Sequence, residues 1–587
     1  MKFHLLILTA FLGGLLSCAE GGGSDRVNGG QEAGSSDNEV TISMRAEPVG
    51  LNPILSVQNV SRYVYEHIFQ TLNERDPETF ELVPLLASTP IVTQGADGTI
   101  TYRYTIDSLA AWPNGTDVTA RDVIFSLKAL LNPLVEAGPY RPYYDMIQDV
   151  LVDSTDERTF WVVTERPYIL ADQAIADLYI YPEYAYDPGG YLHDIPLSNF
   201  ADPQLAEQLA EANAGLRTFA DAFNSPDLAL DPERIVGSGG YALVAWEPGQ
   251  RLRLRRRDNY WAQDREEDRL AACPEYLNFR IISDYSAEIN ALRDNSVDVA
   301  IDMPVDIFQE MRNDEYLTSL YDFVALPGFK YFSILLNSDD PLLSDSLTRR
   351  ALAHTVNVDQ LIEQLFPGLA QRIVGPVLPA KSYYNNDLPS IPYDLERAAR
   401  LLREAGWSDS NGNGILDRTI EGERREFQFQ LLTYPMPTSE AVTLVIAEGA
   451  RRVGIDIQVT KMEPRALMAR LDAGDFSATF YGQGFEPTPD DFAQVWSSTS
   501  VPPSGTNRGN FNNPEADSLI RKIAITMDTS ARATLYRRFQ EIIYANQPMI
   551  FLYSPYDRIV ISKRFEYSIS SIAPNLKFNA LKLKATQ

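Results

Sequence analysis

The chain has only two cysteines, Cys18 and Cys273, and four histidines. With Cys18 placed in an apolar leader, Cys273 has no intramolecular partner, which excludes a disulfide framework and leaves stability to the core. Positive charge is also scarce: 51 Lys and Arg stand against 80 Asp and Glu, a net charge of −29. That balance opposes non-specific contact with phosphate backbones or anionic membranes, so no nucleic-acid partner is expected. No later segment approaches about 20 consecutive apolar residues, and no transmembrane helix is expected. Catalytic signatures are missing too. There is no G-x-S-x-G, H-E-x-x-H, phosphate loop or Cys/His cluster, and after the leader only His67, His193 and His354 remain. The reading is a protein that is not an enzyme and uses no cofactor.

What is present begins with an export signal: Lys2, an apolar run from Leu5 to Leu16, then Leu15-Leu16-Ser17-Cys18. The run is too short to span a bilayer and has signal-peptide proportions. Leu-Leu-Ser-Cys resembles the lipobox of bacterial lipoproteins, in which cleavage precedes the Cys and its sulfur is lipidated. The expected organisation is a signal peptide over 1–17 and a lipidated, flexible tether over 18–39, rich in Gly, Ser, Asp and Asn. Acyl chains contributing about 0.8 kcal/mol per buried CH2 suffice to anchor it. The remainder is too long for one core.

Periodicity then gives a coarse map. Val57 to Leu72 reads as a helix with Val60, Val64, Ile68 and Leu72 on one face, and His67 as a satisfied or solvent-facing helix residue. Gly98 to Ile106 alternates as a half-buried strand. Thr119 and Asp122 have the form of a capping box. Leu205 to Asn224 reads as an Ala-rich helical surface insertion. From Lys330 to Val356, a strand over Tyr331–Leu336 and a turn lead to a helix capped by Asp345 or Ser344, with Arg349 and Arg350 off its apolar face. Tyr393 to Trp407 reads as a helix, and the order strand, helix, strand over 427–459 implies a sheet with flanking helices. Pro548 to Tyr553 is an apolar strand. The loop Asp409 to Asp417 places Asp409, Asn411, Asn413 and Asp417 at positions 1, 3, 5 and 9 of a calcium-loop pattern, but Ile420 occupies position 12. Asx turns account for the same residues, and the metal reading is the weaker alternative.

Several motifs occur in a fixed order. Leu51-Asn52-Pro53 is followed by Glu66-His67-Ile68-Phe69. Next come Trp112, Gly115, Thr119, Ala120, Asp122, Val123, Phe125 and Ser126, then Gly237-Ser238-Gly239-Gly240-Tyr241 with Trp246, Gly249 and Asn259-Tyr260-Trp261. Asn337, Asp345, Arg349, Arg350, Ala351 and Leu352 resemble N-x-x-x-P-x-x-D-x-x-x-R-x-A-L, and Gly505 to Phe511 resembles G-x-N-x-x-x-Y/F. Together they resemble the family 5 extracellular solute-binding proteins, the dipeptide and oligopeptide receptors of ABC importers, from about Val40 to Ser562. The resemblance implies an α/β, two-lobed periplasmic-binding-protein-like fold of the large cluster-C type, with three domains closing on a ligand cleft. Residues 40–75, 230–328 and 547–587 would form the core of lobe I, 76–229 its accessory domain and 329–546 lobe II.

The same resemblance implies contacts from Ser56, Gln58 and Asn59 after the LNP turn, with Tyr481, Gly482, Phe485, Glu486 and Asn507 opposite. In peptide receptors an Asp often takes the peptide's amino group; Phe485 occupies that place here, and the adjacent Glu486 can supply the carboxylate. The expected function is a monomeric, lipid-anchored receptor on the periplasmic or extracellular side of a bacterial membrane, delivering a peptide-like solute to an ABC permease and its ATPase. Alternatives are a sensing receptor for a sugar, metal chelate or signalling peptide, and a carboxylate-based hydrolase.

Overall fold

The computed structural model describes residues 38–56, 58–138 and 140–585. The expected signal peptide, Cys18 and all but the last two residues of the expected tether lie outside the described residues.

A twelve-stranded mixed sheet runs through both lobes. Its path begins in lobe II with Asp456–Lys461, Gln428–Thr433, Ala478–Gly484 and Lys330–Leu336, passes through Met549–Ser562, and continues in lobe I with Val299–Ile301, Glu39–Met44, Tyr276–Ile281, Arg251–Arg256 and Tyr241–Glu247. Tyr321–Pro327 and Ala370–Arg372 also pair with Met549–Ser562. That strand belongs to both lobes. Ile550 lies opposite Ile334 at one end, and Ile561 opposite Val299 at the other. The expected strand over Pro548–Tyr553 is therefore the first half of a longer one. A separate four-stranded antiparallel sheet holds Ile91–Gln94, Ile100–Thr105, Thr159–Thr164 and Ile147–Val152 in the order first, second, third, fourth.

The strand Lys330–Leu336 is an apolar run because both of its faces are covered. Ile334 and Leu336 enter one core with Leu352, Trp407 and Ile446, and Tyr331 and Leu335 enter another with Tyr536, Phe539 and Ile543. Each such side chain contributes roughly 1.5–3 kcal/mol by leaving water. Asp345, not Ser344, caps the following helix Ser346–His354, accepting N–H groups from Leu347 (3.2 Å) and Thr348 (3.1 Å). Strand Gln428–Thr433, helix Pro437–Arg451 and strand Asp456–Lys461 form the expected parallel unit.

Three expectations need correction. The helix expected to reach Leu72 spans only Asn59–Tyr65. The carbonyls of His67 and Ile68 instead accept N–H groups from Tyr241 (3.1 Å) and Gly239 (2.8 Å), drawing the chain out of the helix. Arg349 is buried, donating to the carbonyls of Leu343 (2.7 Å), Ser344 (2.8 Å) and Asn546 (3.1 Å). The stretch 205–224 contributes to two helices, Pro203–Ala212 and Ala214–Phe223, and is built into the core: Phe219 packs edge-on against Phe125 and Phe223 against Tyr181.

Candidate functional site

A cavity of about 1050 Å³ lies between the lobes. A smaller one of about 640 Å³, beside Asp340, Arg470 and Asp475, lies within lobe II.

The lobe I wall starts at the LNP turn. Asn52 accepts the N–H groups of Leu55 and Ser56 through its carbonyl, and its side chain accepts the Tyr181 hydroxyl at 2.7 Å. The helix Asn59–Tyr65 buries Tyr63, Val64 and Tyr65. Asn59, Arg62 and Glu66 follow one another at helical spacing and line the cavity with Gln58. Arg75, Gln173, Asp177 and Lys577 also line it. The lobe II wall continues the strand Ala478–Gly484 into Phe485 to Trp496. Phe485 donates its N–H to Phe329 O at 2.7 Å and packs on Tyr331 with ring centres 5.0 Å apart.

Contacts join the two lobes at the cavity and beside it. Arg62 Nη1 lies 3.9 Å from Glu486 Oε1, and Tyr168 donates its hydroxyl to Asp491 Oδ2 at 2.7 Å. Next to Tyr168, the Ile169 N–H donates to Ala524 O at 2.9 Å, and the Ile169 side chain is buried in a lobe II core.

The cavity carries charge of both signs. Burial disfavours the Arg62 cation, but Glu486 and Glu66 outweigh it and hold the guanidinium above its ordinary range. Burial raises the Glu66 carboxyl against the pull of Lys577 and Arg62. Lys577 is ion-paired with Glu74 and, despite burial, is raised by Glu74 and Glu66. Asp177 is open to the cavity yet enclosed by protein, and burial pushes it up to about 6 against hydrogen bonding from Gln173 and the charge of Arg75. His67 is buried among Tyr241, Phe279 and Phe578, and burial pushes it down to about 3. It is neither on the helix nor solvent-facing.

Of the residues singled out from sequence, the structure brings Gln58, Asn59, Phe485 and Glu486 to one cavity. It does not bring Ser56, Tyr481, Gly482 or Asn507 there. Ser56 is buried, and its carbonyl accepts the Tyr140 hydroxyl at 3.3 Å. The Tyr481 hydroxyl accepts from Arg508 at 3.3 Å, and Gly482 backs onto the Phe332 ring. Asn507 donates to the carbonyls of Ser497 (3.0 Å) and Phe511 (2.8 Å), so it holds its own turn.

In the candidate calcium loop, Asp409 accepts the N–H groups of Gly412 (2.7 Å), Asn413 (3.2 Å) and Gly414 (3.0 Å). Asn411 and Asn413 accept the N–H groups of Asn413 and Ile415, while Asp417 takes Ser410 and Arg424. These are Asx turns. Among the described residues no group of three or more acidic, His or Cys side chains is placed to hold a metal.

Arg62, Arg75, Asp177 and Lys577 carry no motif, and Glu66, although it opens the Glu66-His67-Ile68-Phe69 motif, was not singled out as a site residue; Arg75, Asp177 and Lys577 reach the cavity from segments distant in sequence. Asp490 and Asp491 lie in the loop that was singled out, where two adjacent acids after Pro487-Thr488-Pro489 were the available signal.

Residues 81–504 match the family model of bacterial extracellular solute-binding proteins, family 5, middle region. The chain belongs to this family. The family comprises solute-binding proteins, not enzymes. This family 5 protein is similar to the oligopeptide-binding protein AppA of Bacillus subtilis, at 22% identity over 569 residues covering 96% of this chain and 94% of AppA. Its fold is that of AppA solved with a nonapeptide, with a TM-score of 0.69, 20% identity, and 93% of this chain and 99% of AppA covered. It is likewise that of NikA from Brucella suis in complex with Fe(III)-EDTA, with a TM-score of 0.73, 18% identity, and 93% and 100% covered.

Proposed function

We propose that this protein captures a peptide-like solute between its lobes and delivers it to an ABC permease and ATPase, acting as a monomer anchored through Cys18 on the outer side of a bacterial membrane. The observation that carries the reading is the cavity between the lobes, where a carboxylate and a guanidinium, Glu486 and Arg62, face each other from opposite walls. A zwitterionic chain presents the complementary pair of charges. Membership of a solute-binding family and similarity to an oligopeptide-binding protein support it.

In this reading 40–75, 230–328 and 547–587 form the core of lobe I, 76–229 its accessory domain and 329–546 lobe II. Gln58, Asn59, Phe485 and Glu486 contact the ligand. Peptide backbone groups add hydrogen bonds worth about 0.5–1.5 kcal/mol each, and the aromatic walls tolerate varied side chains. Closure follows because a ligand touching both walls favours the closed state over the open one.

Mass spectrometry of solute co-purified with the full chain tests this. Peptides released on denaturation are expected; a sugar or a metal chelate released in their place would overturn the peptide assignment.

A further inference from the structure

Lys381 is a cation almost without water: 4% of its side chain is exposed. An ammonium has three donors, and here all three go to one segment of the cavity wall. Nζ donates to Glu486 O at 2.8 Å and to Thr488 O, and lies 3.4 Å from Asp490 Oδ1. Burial lowers the Lys381 ammonium, and the Asp490 charge opposes that shift.

The far end of the segment is fixed as well. Tyr383 donates its hydroxyl to Asp490 Oδ2 at 2.9 Å and accepts the Asp490 N–H at 3.1 Å. The Tyr536 hydroxyl donates to Asp490 O at 2.7 Å, with its ring stacked on Tyr383 at 3.9 Å. Between Phe485, tied to Phe329, and Asp490, tied to the tyrosines, the backbone of the residues in between is gripped by Lys381 alone among the interactions described, and their one side-chain contact is the long Arg62–Glu486 pair. The Glu486 side chain is 64% exposed, so contact with its surroundings does little to hold its carboxylate. Its direction follows from the backbone that Lys381 grips.

We propose that Lys381 is a specificity-determining positioning residue: by holding the carbonyls of Glu486 and Thr488 it aims the Glu486 carboxylate at the ligand's cationic end. The inference rests on the peptide-capture reading above. It gives a buried lysine that never touches ligand control over how strongly a free amine is preferred.

The probes are tetra-alanine and N-acetyl-tetra-alanine, titrated calorimetrically into the full chain, Lys381→Met, and Lys381→Met with Asp490→Asn. The wild type is expected to prefer the free amine by about tenfold, the scale of one charge-assisted hydrogen bond. Lys381→Met should bring the ratio towards one. The double variant no longer buries an unpaired carboxylate, so it should recover thermal stability while the ratio stays near one. A ratio preserved in Lys381→Met, or restored with stability in the double variant, would overturn the inference and leave Lys381 a partner for Asp490 only. A wild type that binds both probes equally also overturns it while the capture reading stands. A wild type that binds neither tetra-alanine nor any peptide from a mixed pool overturns the capture reading itself.

Discussion

Arg62 and Glu486 face each other across the cavity at 3.9 Å, one on the first helix of lobe I and the other on the lobe II loop. The pair is long and its glutamate is open to water, so it belongs with ion pairs worth about 0–1 kcal/mol. A ligand amine therefore displaces Arg62 from Glu486 at small cost. Glu486→Gln should weaken binding of a free-amine peptide by about tenfold or more, with little change in melting temperature. Calorimetric titration together with a melting curve checks both.

Gly237 is required by space. A Cβ there would lie 2.1 Å from Ile68 O, where the Gly-rich segment meets the chain leaving the first helix. Gly237→Ala should cost about 1–3 kcal/mol, as overpacking does, and should perturb the Glu66 and His67 side of the cavity. Denaturant unfolding measures the loss.

Asp177 gives a pH dependence. Its folded carboxyl sits near 6, above the ordinary value of 3.8, so the folded state binds more protons than the unfolded one between those values. The cost of its charge is present above about pH 6 and absent below about pH 4. Asp177→Asn should raise stability near pH 7.5, by about 1 kcal/mol or less because cavity water screens the carboxylate, and should have no effect near pH 3.5. Melting curves at both pH values check the sign.

Arg349 satisfies three carbonyls from inside the protein. Arg349→Met should cost about 1–3 kcal/mol by stranding them. Arg349→Lys should recover only part of that, since an ammonium lacks the planar fork.

Much of the fold was legible because it is written locally. Apolar runs marked Lys330–Leu336 and the start of Met549–Ser562, and Asp345 announced a cap through its spacing to the helix. The misreadings arose where distant backbone competed with local pattern. The stripe Val60, Val64, Ile68, Leu72 is helical on paper, but Gly239 and Tyr241 claim the carbonyls that would extend the helix. Arg349 looked solvated because its acceptors lie partly at Asn546, nearly two hundred residues away. The site was legible only in part. Gln58, Asn59, Phe485 and Glu486 follow recognisable motifs, while Arg75, Asp177 and Lys577 reach the same cavity from segments that carry no motif.

Capture by lobe closure is tested most directly by small-angle X-ray scattering of the full chain with and without a peptide of calorimetrically confirmed affinity. Saturating peptide should reduce the radius of gyration and narrow the pair-distance distribution. An unchanged profile at saturation would contradict closure around the solute.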